Sequence, residues 1–439
     1  MATVTEPAGR ATDRGGYLWE TLAALWPEPA RIERRGRGVP GTGSQPGRPG
    51  RAGGQTEFLI LPNEAKAVLL LPRRPRRAAA AALRHYKASA VGRQRLRFRG
   101  LALGAQMGLA DVLPQRITIR QPGDEPDADV VSYLRKVLDH DELIVSLRIG
   151  PPRANRKPVL ELLSPHGRLL GFAKVGITGL SRELVRAEAA ALGVLEAAGL
   201  TRLEVPRLLH HGQWREHEVL VQAPLRGSGR AATPAALTSA MAELATTAGV
   251  TIEPVGQSRY WRGLRSRLEA CGGREPAEAL LQIMADMQAT AEATSLAFGS
   301  WHGDWTPWNM AFSGGRLLVW DWERFESGVP IGYDVLHYQL QEAVERSNGA
   351  GARAAAEAAL FTAPMRLGSL GVRPGSAVFV AALYLLEIAA RYTCDGAAEA
   401  GARLGDVSWW LLPPLSRYAA RLRDQPGVLS SGSPARHSD

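Results

Sequence analysis

The period of hydrophobic and polar positions changes several times along the chain, and each change marks an element. LIVSLRIG, PVLELLSP and LLGFAKVGI, beginning at residues 143, 158 and 169, are short apolar runs separated by turn residues. They predict three successive strands. Residues 181–200, SRELVRAEAAALGVLEAAGL, switch to a helical period, with Ser181 as the expected cap and Gly199 as the stop. HEVLVQAPL at 217–225 predicts another strand, running into a proline-containing hinge. After Thr233 the pattern is almost wholly helical. The exception is NMAFSGGRLLVWDW at 309–322, where Gly314-Gly315 predicts a hairpin turn.

The first 125 residues read differently. GYLWETLAALWPEP predicts a short amphipathic helix ended by Pro27. Residues 35–55 are rich in Gly, Arg and Pro, a composition that cannot bury a core and reads as a disordered linker. TEFLILPNEAKAVLLLP predicts a hairpin around Pro62-Asn63-Glu64, and residues 76–100 predict one basic helix. The expected organisation is an accessory region at 1–125, a small sheet lobe at 126–225, a helical lobe at 226–425 and a disordered tail at 426–439. Two lobes joined by a hinge suit a ligand-binding cleft, and the class is α+β.

Charge sharpens this division. Residues 31–99 carry seventeen Lys/Arg against three Glu, so the rest of the chain is close to −4 although the whole is +10. The basic character belongs to one segment, and a nucleic acid, an anionic lipid surface or an envelope polymer is its expected kind of partner. The run RQRLRFR within it reads first as a solvated face. The start of the chain has no apolar run behind its charges, so no secretory signal is read there. Residues 376–392 are apolar but short and interrupted by Glu387, which predicts a buried helix rather than a membrane span. Cys271 and Cys394 lie far apart with no CxxC pair, so neither a disulfide framework nor a zinc site is expected, and a reducing cytoplasm is.

The candidate chemistry lies in WHGDWTPWN at 301–309 and VWDWE at 319–323. Gly303 and Pro307 place the first on a loop. Asn309 opens one strand of the expected hairpin and Asp321 ends the other, which brings an amide oxygen and a carboxylate together, a pairing that suits Mg²⁺. Asp304 is left to accept a proton from a hydroxyl.

These two motifs resemble the catalytic and metal-binding loops of aminoglycoside phosphotransferases and choline kinases, the small-molecule branch of the protein-kinase-like fold. The resemblance spans about residues 140–400. It implies a bilobal fold with an antiparallel-sheet N-lobe and a helical C-lobe. It implies Asp304 as catalytic base, Asn309 and Asp321 as Mg²⁺ ligands and ATP as phosphoryl donor. It implies Glu323 as a second acid, His302 as a loop-shaping residue and Asp334 as a structural acid. Lys174 is implied as the phosphate-gripping lysine, oriented by Glu188, with Glu183 as the rival acid.

The chain has only five lysines, so a lysine inside an apolar strand is itself informative. The connection at 151–157, PPRANRK, lacks the GxGxxG pattern, which leaves Asn155, Arg156 or Lys157 to meet phosphates. Gln222, Ala223 and Leu225 form the expected adenine-binding hinge.

Only nine residues separate Asp321 from Pro330, too few for a long activation segment, so peptide acceptors are not expected. Beyond residue 330, Lys/Arg and Asp/Glu number ten each, which gives no acidic cluster for a polycation. The expected acceptor is a sugar, amino sugar, nucleoside or choline-like alcohol. A second reading, from a different class, is a nucleotide-binding pseudokinase or scaffold held to an anionic partner by residues 31–99. Trp305 and Trp308 read equally as substrate platforms and as core anchors.

Overall fold

The computed structural model describes residues 14–35, 54–86, 93–108, 115–122, 127–150, 157–225, 227, 232–273, 275–347, 349–394 and 407–424. Asn155, Arg156, most of the 35–55 linker and the 426–439 tail lie outside them. The chain divides into two compact units, residues 1–186 with 207–224, and residues 187–206 with 225–439.

The first unit is built on one nine-stranded antiparallel sheet. Its strands are β1 (Arg31–Arg35), β2 (Gln55–Leu61), β3 (Leu69–Pro72), β4 (Arg116–Arg120), β5 (Ile144–Arg148), β6 (Val159–Leu163), β7 (Leu169–Gly176), β9 (Leu208–Trp214) and β10 (His217–Gln222). The order is β1-β4-β2-β3-β5-β6-β7-β10-β9. The three strands expected between 143 and 177 are therefore present and adjacent. The strands of residues 31–120 join the same sheet, through Leu69 opposite Arg148 and Leu70 opposite Leu147.

Alternation of side chains across the pleat gives the sheet two apolar faces. On one, Leu18 and Leu22 of α1 (Arg14–Leu25) and Leu134 of α4 (Val130–Val137) pack with Val145, Leu160, Ala173 and Val219. Each fully buried Leu or Val there contributes about 1.5–3 kcal/mol. On the other, Ala78, Ala81 and Ala82 of α2 (Arg76–Tyr86) pack with Leu59, Leu69, Leu71 and Leu163.

The single basic helix expected over 76–100 is thus two, α2 and α3 (Arg93–Met107). The alanine run is core, because its small side chains let the helix backbone lie close. Gly167, at φ +81°, sits where a Cβ would come within 2.7 Å of the Arg77 carbonyl. Part of the basic surplus is taken up locally, by the pairs Arg73–Glu57, Arg34–Glu64 and Arg120–Glu33.

Helix α5 (Gly179–Ala197) begins two residues before the expected cap. Thr178 is the capping residue: its hydroxyl accepts from the Ser181 amide at 3.2 Å, while the Ser181 hydroxyl accepts from the Thr178 amide at 2.8 Å. This reciprocal pattern satisfies two orphan donors at once. Gly199, at φ +64°, follows the helix end as expected.

The second unit is mainly helical: α6 (Pro234–Thr246), α7 (Arg259–Ala270), α8 (Glu275–Ala293), α9 (Tyr333–Arg346), α10 (Ala352–Leu367), α11 (Pro374–Cys394) and a last helix over Leu412–Asp424. The expected hairpin is β13 (Met310–Ser313) and β14 (Arg316–Val319), with Gly314 and Gly315 both at positive φ. Strand β8 (Leu203–Glu204) pairs with β14 in parallel.

A second small sheet was not expected: β11 (Thr251–Pro254), β12 (Ser295–Trp301) and β15 (Glu326–Pro330). β11 is four residues long, β12 follows a helix with no Gly or Pro break, and ESGVP carries two residues that argue against a strand. Helix α11 meets the length and composition of a membrane span, yet nearly all of its apolar residues are buried among the other helices.

The cysteine reading is corrected by the fold. Cys271, just after α7, and Cys394, the last residue of α11, are bonded to each other, with Cα atoms 5.6 Å apart. Sequence separation hid a pair that helix packing brings together, and the cysteines no longer argue for a reducing compartment.

Candidate active site

Residues 302–309 form the irregular link between β12 and β13. Gly303 is at φ +82°, and a Cβ there would lie 2.2 Å from the Arg324 carbonyl oxygen. No other residue fits both constraints. The buried carboxylate of Asp334, in the first turn of α9, accepts from the His302 amide at 2.8 Å and the Gly303 amide at 3.3 Å. Burial pushes the Asp334 carboxyl up to about 7 against the pull of those two amides. The expected structural role of Asp334 therefore has a definite form: it closes the loop from beneath. Arg391 braces the same turn, donating to the Gly303 carbonyl at 2.6 Å with its guanidinium 4.9 Å from the Trp301 ring centre.

His302 is fully buried and shapes the loop as expected. Its Nδ1 accepts from the Asp304 amide at 3.1 Å, and its Nε2 lies 3.1 Å from the Trp320 carbonyl. The first contact requires an unprotonated Nδ1, so the ring is the neutral Nε2–H tautomer. Burial agrees, pulling the imidazole down to about 4.

Asp304 is held at both carboxylate oxygens and remains 40% exposed. Oδ2 accepts from the Asn309 side-chain amide at 2.9 Å, and that amide also donates to the Asp304 carbonyl at 3.0 Å. Oδ1 lies 3.2 Å from Nε2 of His337. His337 is buried in α9, and its Nδ1 is 3.1 Å from the Tyr384 hydroxyl. Burial lowers its pKa below the usual imidazole value. Neutral, with Nδ1 accepting from Tyr384, the ring donates Nε2–H to Asp304.

His337 was missed in the sequence. Its signal is its place three residues after Asp334, a spacing that puts both side chains on one helix face.

Asp321, two residues past the end of β14, adopts φ +73°, an uncommon conformation for a non-glycine residue. Its carboxylate lies with those of Glu188 and Glu323 so that one oxygen of each falls within 4.8 Å of the others. Three carboxylates this close repel one another unless a cation or protons intervene. Hard oxygen donors at this spacing fit a divalent cation such as Mg²⁺.

Glu188 also accepts from the Trp322 amide at 3.3 Å. Asn309 meets Asp321 through the backbone: the Trp320 amide donates to the Asn309 carbonyl at 3.1 Å. Trp305 is a core residue with no exposure, whereas Trp308 is 50% exposed.

In the first unit, Lys174 is buried in β7, flanked by Val159 on β6 and Leu220 on β10. Lys157 and Gly150 line a cavity of about 330 Å³ together with Tyr86, Arg148 and Val159. The Arg148 guanidinium lies 5.2 Å from the Phe172 ring centre and pairs with buried Glu161, which also meets His85 at 2.5 Å. Gln222 ends β10, and its buried Oε1 has no hydrogen-bond partner among the described residues. Gln222 and Ala223 belong to the first unit and Leu225 to the second.

Among curated proteins no sequence matches the chain. Solved structures with similar folds include a putative fructosamine-3-kinase from Haemophilus somnus 129PT, 15% identical, with a TM-score of 0.42, covering 65% of this chain and 96% of its own. They also include aminoglycoside phosphotransferase APH(4)-Ia, 15% identical at a TM-score of 0.43, covering 66% and 97%. Amicoumacin kinase hAmiN is 12% identical at 0.39, covering 66% and 90%. Likeness at this level assigns no acceptor. The sequence itself matches a family model: residues 174–367, from the buried lysine through the Asp304 loop to the end of α10, match the model of the phosphotransferase enzyme family.

Proposed function

We propose that the protein transfers the γ-phosphoryl group of ATP to a hydroxyl of a small molecule, with Asp304 as the general base. The observation that carries this reading is the Asp304 carboxylate itself. It is gripped at one oxygen by His337 and at the other by Asn309, it is partly open to solvent, and it stands in the same unit as three convergent carboxylates. Orienting a carboxylate through both oxygens leaves a lone pair on each for an incoming hydroxyl.

Asp321, Glu323 and Glu188 would hold the divalent ion, with the Asn309 amide oxygen a further donor. Such an ion neutralises charge on the transferred phosphoryl group. The acceptor oxygen forms a bond to the γ-phosphorus while the bond to the β–γ bridging oxygen breaks. The acceptor's proton passes to Asp304, and ADP leaves. Lys174 is assigned to the non-reacting phosphates, and Lys157 and Asn155 to the phosphate-covering loop. Gln222, Ala223 and Leu225 are assigned to the adenine.

The test is ATP consumption against a panel of sugars, amino sugars, nucleosides and amino alcohols, for wild type and Asp304→Asn. Loss of a general base lowers turnover about 10²–10⁴-fold. An unchanged rate in the variant overturns the assignment.

A further inference from the structure

We propose that the Cys271–Cys394 bond is a thiol-sensitive restraint on the loop that carries Asp304, acting through Arg391. Reduction of the bond releases the last turn of α11, weakens the hold of Arg391 on the loop and lowers turnover. The consequence for turnover rests on the phosphotransferase reading; the restraint itself does not.

Each link between the bond and the loop is a contact. Cys394 is the last residue of α11, and Arg391 stands three residues before it, so both lie in the final turn of the helix. Arg391 donates to the Gly303 carbonyl at 2.6 Å, and its guanidinium lies 4.9 Å from the Trp301 ring centre. One side chain therefore holds the loop at two points just ahead of Asp304. The bond to Cys271 fixes the turn that carries this side chain to the end of α7.

The place of the bond along the helices decides what it controls. α7 and α11 are linked in the same order along both. The Tyr260 hydroxyl donates to the Leu383 carbonyl at 3.4 Å, Arg267 pairs with Glu387 at 2.5 Å, and Cys271 is bonded to Cys394. The disulfide is the outermost of these. Glu387 is buried and keeps Arg267 when the disulfide opens, so the helices stay together and loosening is confined to the residues after Glu387. The last turn of a helix has carbonyls without partners inside the helix and opens before the rest. A covalent tie at Cys394 suppresses that opening, and Arg391 is a positioning residue that depends on it.

A reductant can reach the bond. Both cysteines are partly exposed, and Cys394 lines a cavity of about 220 Å³ together with Arg267 and Arg391. A small dithiol supplies the electrons. One of its thiolates attacks a sulfur of the pair, a mixed disulfide forms, and the other protein sulfur leaves as a thiolate. The second thiolate of the dithiol then closes a ring and releases the remaining protein sulfur. The protein gains two electrons and two protons, and the dithiol becomes a cyclic disulfide.

Hydrogen exchange read by mass spectrometry tests the restraint on the full-length protein, oxidised or reduced with dithiothreitol, well below its melting temperature. The amides of His302 and Gly303 donate to Asp334 and that of Asp304 to His302, so their exchange reports opening of the loop. Reduction is expected to speed exchange in residues 301–309 about fivefold, the size of one net hydrogen bond, while β6 is unchanged. Arg391→Gln is expected to exchange fast in both states. Cys394→Ser is expected to match the reduced protein with or without dithiothreitol. ATP turnover, with the acceptor panel or with water, is expected to fall about fivefold in kcat on reduction, with the KM for ATP unmoved.

Equal exchange of residues 301–309 in the two states overturns the inference, and so does a response to reduction that survives in Arg391→Gln. An unchanged kcat beside a faster loop overturns the claim on turnover. A loop that opens on reduction, in a protein that consumes no ATP in either state, supports the restraint and counts against the phosphotransferase reading alone.

Discussion

Replacing His337 tests whether the base is held or merely present. His337→Ala removes the imidazole that meets the Asp304 carboxylate at 3.2 Å, and leaves the Tyr384 hydroxyl facing a void. A hydrogen bond between a neutral donor and a charged acceptor contributes about 1.5–3 kcal/mol. At about 1.4 kcal/mol per factor of ten, kcat falls roughly 10- to 100-fold if the bond persists to the transition state.

The ATP KM should change by less than about twofold, because His337 has no reason to touch nucleotide. His337→Gln keeps an N–H at nearly the same reach and should recover most of the loss. Steady-state kinetics of the three proteins, with melting temperatures alongside, separate positioning from plain packing. His337→Ala retaining kcat within threefold of wild type while its melting temperature drops would refute the reasoning. Burial keeps His337 neutral at working pH, so it should give kcat no inflection near 6.5. An inflection there that vanishes in His337→Gln counts against the neutral-donor role.

Three further outcomes are expected. His302 is pulled to about 4 in the folded chain, against roughly 6.5 unfolded, so its contribution is complete above pH 6.5 and lost as pH falls towards 4. Between pH 7.5 and 5, urea melts should show wild type losing about 2 kcal/mol more than His302→Gln; equal losses remove His302 from the acid response. Gly303→Ala puts a methyl group 2.2 Å from the Arg324 carbonyl at a positive φ and should lower stability by several kcal/mol, or about 10 °C, by calorimetry; a wild-type melt contradicts the packing described. Cys271→Ser opens a link that spans 123 residues and should cost about 2–5 kcal/mol in denaturant melts under non-reducing conditions, a difference that disappears when both proteins are reduced.

What the sequence made legible was local. Period and turn residues located the three strands at 143–177, the β13–β14 hairpin and helix α5. The motif pointed to Asp304 and Asn309, whose side chains meet because five residues of one loop separate them. What stayed hidden depended on contacts between distant segments. The Cys271–Cys394 bond needs α7 and α11 to end side by side, which no window of sequence displays. His337 looks like one more helix residue until α9 is laid under the Asp304 loop. Glu188 could be chosen over Glu183 by motif, but its closeness to Asp321 and Glu323 follows only from folding 133 residues between them. The alanine run at 78–82 was read only as part of one basic helix over 76–100, because its arginine flanks outweigh its methyl groups in any average, whereas its alanines are buried.

The joining of β3 to β5 has a practical meaning for anyone wishing to shorten this protein. A chain begun at residue 126 would strip β5 of its neighbour, leave its backbone donors and acceptors open along one side, and take His85 away from buried Glu161. A raw strand edge of that kind recruits other chains. Strands β1, β2, β3 and β4 are therefore the hem of the sheet. Trimming them should yield aggregates, not a smaller enzyme.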